Sequence, residues 1–268
     1  MDHRFRDEHQ VMRRAAAILC AAVLCLPVAV SADGLPFKAG ERLVFKARWL
    51  WFDAGMIEAA VPEIAQENGA RYARFTLHTW TTHTIAYLFS MDDYFESKWD
   101  VDRRVPKTFS VRIRESTATK DKWLEFDHAA NTVSVTLNKE QPRTFDLAPL
   151  AQDFFSASFV TRAHKLEPKD KVLVPVFEDN KNYDAEIKVV KRERIPVMNG
   201  EVDTVMLKAR LQFEGAFQDS RSLFIWLTDD DAHIPVKLSA NLIFGTITLN
   251  LVEAEGVNLR LIGKENGK

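Results

Sequence analysis

Three groups of residues have types and spacings that could do chemistry. The densest is Asp229-Asp230-Asp231 with His233, a run of candidate metal ligands. Calcium loops space their carboxylates at alternate positions around a glycine that makes the sharp turn, and this run has neither feature. Consecutive turn residues also point in different directions, so the run reads as a solvated hairpin whose Asp side chains bond their own backbone. His78 and His83 flank Trp80, but no third ligand lies nearby to complete a zinc or catalytic set. Asp153, Ser156 and Arg162 sit at helical spacing and read as structural polar residues: the first two bond one another or an adjacent strand, and Arg162 pairs with a carboxylate that fastens a helix to a sheet. The chain contains no Gly-x-Ser-x-Gly elbow, Ser-x-x-Lys, His-Glu-x-x-His, phosphate loop or dinucleotide fingerprint. The sequence therefore assigns no catalytic residue, no metal and no cofactor, and an enzyme is the less favoured class.

The elements that must position these residues are mostly strands. From Ile234 the even positions to Ala240 are apolar and the odd ones polar, the period of a half-buried strand. After Gly245 the parity flips to Ile247, Leu249 and Leu251, as expected at a tight turn or bulge. Leu223 to Leu227 and Phe45 to Phe52 are apolar on both parities, so each must cover two surfaces. Phe37 to Phe52 reads as one opening strand, broken at Asp53-Ala54-Gly55. Asn68-Gly69 and Asn199-Gly200 are the strongest hairpin signals. Leu150 to Lys165 is the one convincing helix, rich in Phe and followed by Pro168. Twelve to fourteen strands and one main helix are expected, without a linker. The predicted fold is mainly β: a single curved antiparallel sheet, an open barrel or β-spiral, with that helix packed against it, a sandwich being the alternative.

The first thirty-two residues differ in kind. Arg13 and Arg14 precede the apolar run Ala15 to Val30, and Val30 and Ala32 stand at the small-residue positions of a cut, the layout of a cleaved signal peptide over residues 1–32. The run is short for a bilayer span, so a membrane anchor is not expected, and residues 33–268 form one β-rich domain. Cys20 and Cys25, the chain's two cysteines, both lie in the leader, and Ala-Val-Leu before Cys25 is a poor site for lipid attachment. Without the leader, 32 basic residues face 35 acidic ones, a balance that argues against nucleic acid or an anionic surface as the main partner. An exported, disulfide-free chain of this kind fits a bacterial periplasm.

The opening AGERLVFKARWLWFDAG, the pattern of Asp153, Ser156, Phe159 and Arg162, and the closing WLTDDDAHIPVKLS before the Gly245 strand resemble the bacterial family catalogued as domain of unknown function 3108. The resemblance implies an exported, mostly β protein with no established activity. The leading functional expectation is a non-enzymatic cell-envelope protein that binds an apolar or amphipathic envelope component, such as a lipid, in the cavity of the sheet. Trp49, Trp51, Phe52, Trp80, Phe224 and Trp226 are the candidate ligand-binding residues. The alternatives are a structural protein that holds an envelope protein partner, and an envelope-polymer hydrolase with two acids paired across a groove.

Overall fold

The computed structural model describes residues 34–82, 86–87, 89–211, 223–242 and 245–263. The expected leader with its two cysteines, and His83, lie outside them.

The first half of the chain is a meander of eight strands: β1 (Glu41–Trp49), β2 (Phe52–Glu67), β3 (Ala70–Thr81), β4 (Asp92–Asp100), β5 (Val105–Glu115), β6 (Ala118–Asp127), β7 (Thr132–Leu137) and β8 (Arg143–Asp146). A short helix, α1 (Ser156–Arg162), follows. Six more strands complete the sheet: β9 (Lys171–Glu178), β10 (Lys181–Val197), β11 (Gly200–Leu211), β12 (Leu223–Thr228), β13 (Pro235–Leu242) and β14 (Gly245–Glu255). Each strand pairs with its sequence neighbour except at one place, and β14 pairs back onto β1, so the order is β8 through β1 and then β14 down to β9. Among the described residues the result is one fourteen-stranded antiparallel sheet that is not closed.

The two free edges nevertheless face each other. Phe145 of β8 and Phe177 of β9 bring their rings within 6.1 Å, and the Asn182 side chain bonds both the Asp146 carbonyl and the Ala148 amide across the seam. Gln152 fills part of the gap by a parallel bridge, its amide donating to Pro175 O and its carbonyl accepting from the Phe177 amide. The sheet is therefore rolled into a barrel-like shape whose seam is stitched by the connection that carries the helix.

Local sequence explains most of the boundaries. Asn68 and Gly69 both take positive φ, 50° and 84°, as a type I′ hairpin between β2 and β3 requires. Leu238 registers with Leu249 and Ala240 with Ile247, which puts the even positions of β13 and the odd positions of β14 on one inner face. Two expectations are corrected. The β1–β2 turn falls at Leu50-Trp51 rather than at Asp53-Ala54-Gly55. Gly55 lies within β2, where a Cβ would come 2.5 Å from the Trp80 carbonyl oxygen, so its glycine serves close strand approach and not a turn. The helix is also shorter than Leu150 to Lys165, because Leu150 adopts a left-handed conformation and Gln152 is drawn out to pair with β9.

Candidate functional site

The helix enters the rolled sheet through a buried aspartate. Asp153 is fully buried; its Oδ1 accepts the amides of Phe155 and Ser156 at 2.9 and 2.7 Å, and its Oδ2 accepts Ser97 Oγ at 2.6 Å. Burial pushes this carboxyl above its usual range, against those bonds, which pull it down. Ser156 donates to Gln152 Oε1 at 3.1 Å, and Trp99 donates to the same oxygen at 3.0 Å. From there the Phe side chains diverge into the core. Phe154 meets Phe95 and Phe109 edge-on, and Phe159 stacks on Phe75 at 3.8 Å with its planes 6° apart. At the far end Arg162 pairs with both oxygens of Glu41, the first residue of β1, and donates to the Pro36 and Ala232 carbonyls. Both side chains of that pair are almost entirely buried, at 2% and 3% exposure.

Between α1 and the sheet lies a hollow. Leu43, Phe45, Ile57, Leu77, Leu238 and Leu249 form its sheet wall, Phe155 and Phe159 its helix wall, and Glu41 with Arg162 its polar end. Its cavity volume is about 70 Å³, and its mouth is open to solvent. The Arg162 donors are already engaged, so the hollow offers apolar contact and little free polar recognition.

None of the six candidate ligand-binding aromatics lines this hollow. Trp51 and Phe52 sit at the β1–β2 turn, 70% and 46% exposed, with Trp49 half-buried beside them. Trp80 is half-buried and stacks on His78, whose Nε2 lies 2.6 Å from Asp92 Oδ1. Phe224 and Trp226 occupy the parity opposite the buried Leu223, Ile225 and Leu227. Lys208 lies over the Phe224 ring and Lys237 over the Trp226 ring at 4.8 Å, and Trp226 donates to Glu193. The second face of β12 is thus covered by cationic side chains and their stems, not by another layer. The sequence does not single out the lining of this hollow because Leu43, Leu77 and Leu249 look like any inward strand residue.

The acidic turn joins β12 and β13. Asp230 Oδ1 accepts Thr228 Oγ1 and the Ala232 and His233 amides, while Asp229 pairs with Arg192. Among the described residues no three His, Cys, Asp or Glu side chains form a metal-holding group.

His164, just beyond the helix, is buried, and burial lowers its pKa from 6.5 to about 4, with Arg104 and His233 acting in the same direction. The unfolded chain takes up this proton below pH 6.5 while the folded protein does not until about pH 4, so stability falls with pH across that window. The expected slope attributable to this residue is about 1.4 kcal/mol per unit. Denaturant unfolding of the native protein and of His164→Asn at several pH values isolates it; identical acid limbs would show that His164 titrates normally in the fold.

A rolled, incompletely closed antiparallel sheet plugged by a helix, with an apolar hollow between them, defines a β-barrel-like protein. Residues 44–252 match the family described as protein of unknown function (DUF3108), and the chain belongs to that family. Among solved structures, the β-barrel-like protein of domain of unknown function DUF1849 from Brucella abortus superposes with a TM-score of 0.55 at 13% identity, covering 82% of this chain and 99% of that one. That likeness establishes the shared fold. A Bacteroides fragilis protein with a YmcC-like fold is similar at a TM-score of 0.38 and 7% identity over 88% of this chain and 99% of that one. No curated protein matches the sequence. No helix among the described residues is long and apolar enough to cross a membrane.

Proposed function

We propose that this is an exported, non-enzymatic protein of the bacterial periplasm that holds an apolar or amphipathic envelope component in the hollow between α1 and the sheet. The observation that supports this reading is the hollow's lining, almost wholly apolar and walled by Leu43, Phe45, Ile57 and Leu77 against Phe155 and Phe159. An apolar lining of this kind favours an apolar occupant, whose contacts take the place of those that a close-packed interior makes. An apolar chain entering it recovers those contacts without requiring a new charge partner, because Glu41 and Arg162 already satisfy each other.

Protein purified from the periplasm without detergent is expected to retain a lipid-sized adduct in native mass spectrometry. It is also expected to take up a hydrophobic dye at one saturable site. Ala59 lines the hollow from β2, so Ala59→Phe fills it and should lower dye affinity by about tenfold or more while the far-ultraviolet circular dichroism is kept. An adduct-free spectrum together with no saturable dye uptake removes the carrier reading and leaves a protein-partner role in front.

A further inference from the structure

Large exposed apolar side chains are scattered singly over most of the molecule: Trp123, Leu173, Val190 and Met198 each stand on a different strand or turn. At one end they are contiguous. Leu50, Trp51 and Phe52 follow one another through the β1–β2 turn at 47%, 70% and 46% exposure, with the Trp51 and Phe52 rings 5.2 Å apart. Three large apolar residues in solvent at a two-residue turn are the reverse of the Asn, Asp and Gly that such turns favour. The backbone makes the choice more costly. Leu50 has φ 55°, the left-handed region that a branched apolar residue disfavours.

The tip is tied to neighbouring strands. The Leu50 amide donates to Thr246 O of β14, and the Leu50 side chain lies over the space a Cβ of Gly245 would occupy. Thr82, at the exit of β3, donates to the Asp53 carbonyl, and this same connection carries Tyr87 at 94% exposure. This end is remote from Glu41 and Arg162, about 27 Å away along the nine residues of β1. Beneath the tip, Lys46 and Arg48 both reach Asp53 at 3.3 Å, two cations on one carboxylate, which leaves one positive charge beside the apolar residues.

We infer that the Leu50-Trp51-Phe52 tip is a membrane-docking element that inserts into the headgroup region of a lipid surface. A hairpin turn that presents three large apolar side chains to solvent suits a fluid interface, which conforms to it. Trp at the tip, flanked by Leu and Phe and backed by a net cation, is the composition that a lipid–water boundary takes up. The inference does not rest on the hollow, and the two readings fail separately.

The test is co-sedimentation of the full mature protein with phosphatidylcholine vesicles and with vesicles that also contain phosphatidylglycerol. Binding to both is expected, about fivefold tighter to the anionic ones, with a blue shift of tryptophan emission. Trp51→Ser, a change at a position 70% exposed that leaves the core untouched, should remove that shift and weaken partitioning by about 10- to 100-fold. It should leave dye uptake in the hollow unchanged. Leu50→Asn should weaken vesicle binding too, yet melt no lower than the native protein, because Asn tolerates the left-handed turn. Absence of vesicle binding by the native protein would overturn the inference, as would undiminished binding by Trp51→Ser. A native dimer that Trp51→Ser converts to a monomer would likewise overturn it and assign the tip to a second copy of the chain.

Discussion

Phe159→Ala is expected to lower the unfolding free energy by about 3–5 kcal/mol, the range for removing a fully packed aromatic ring. Phe159 is 4% exposed and is the ring on which the helix and the sheet meet. It stacks on Phe75 of β3, meets Phe37 edge-on at 5.3 Å and Phe155 edge-on at 5.4 Å, and carries the Arg162 guanidinium at 5.7 Å from its centroid. The ring also walls the hollow, so on that side it already forgoes contacts that a close-packed core would supply. That places the expected cost toward the lower end of the range. Urea unfolding followed by circular dichroism measures it directly. A loss under about 1 kcal/mol would mean that α1 rests on the sheet without holding it.

The sheet was legible in the sequence because its signals are local. Alternation through Ile234–Ala240 and its reversal after Gly245 fix the facing of β13 and β14, and Asn68-Gly69 announces its own turn. The β1–β2 turn was not legible, because Leu50-Trp51 lacks every residue type that marks a turn and therefore reads as more strand. For the same reason Trp51 and Phe52 look like a second apolar face of β1, when they project from its end. The helix start was misplaced by Leu150 and Phe154, which continue an apolar spacing although the backbone has left the helix to pair with β9. The hollow is a property of three separated segments, β1 to β3, α1, and β13 with β14, and no local pattern records the distance between them. Glu41 is the clearest case. On β1 it reads as a surface carboxylate, and only a partner 121 residues away accounts for its burial.

That partner makes the second large effect. Arg162→Met and Glu41→Gln are each expected to destabilise the protein by about 3–5 kcal/mol, because either change strands the other member of a buried ion pair. The two cases differ in what is left behind. Without Arg162, the Glu41 carboxylate stays at the end of an apolar hollow, and the Pro36 and Ala232 carbonyls each lose a donor. Without the Glu41 charge, Arg162 keeps both carbonyl bonds but not its counter-ion, so Glu41→Gln should be the milder of the two. Arg162→Lys should not rescue, since one ammonium cannot span both Glu41 oxygens and two carbonyls at the angles of the guanidinium fork. Combining Glu41→Gln with Arg162→Met in one chain should recover much of the loss, because neither charge then remains buried alone. A double-mutant cycle by denaturant unfolding resolves the coupling, expected at about 2 kcal/mol or more. Additive losses would mean that Glu41 and Arg162 act independently and that α1 is held by its aromatic rings alone.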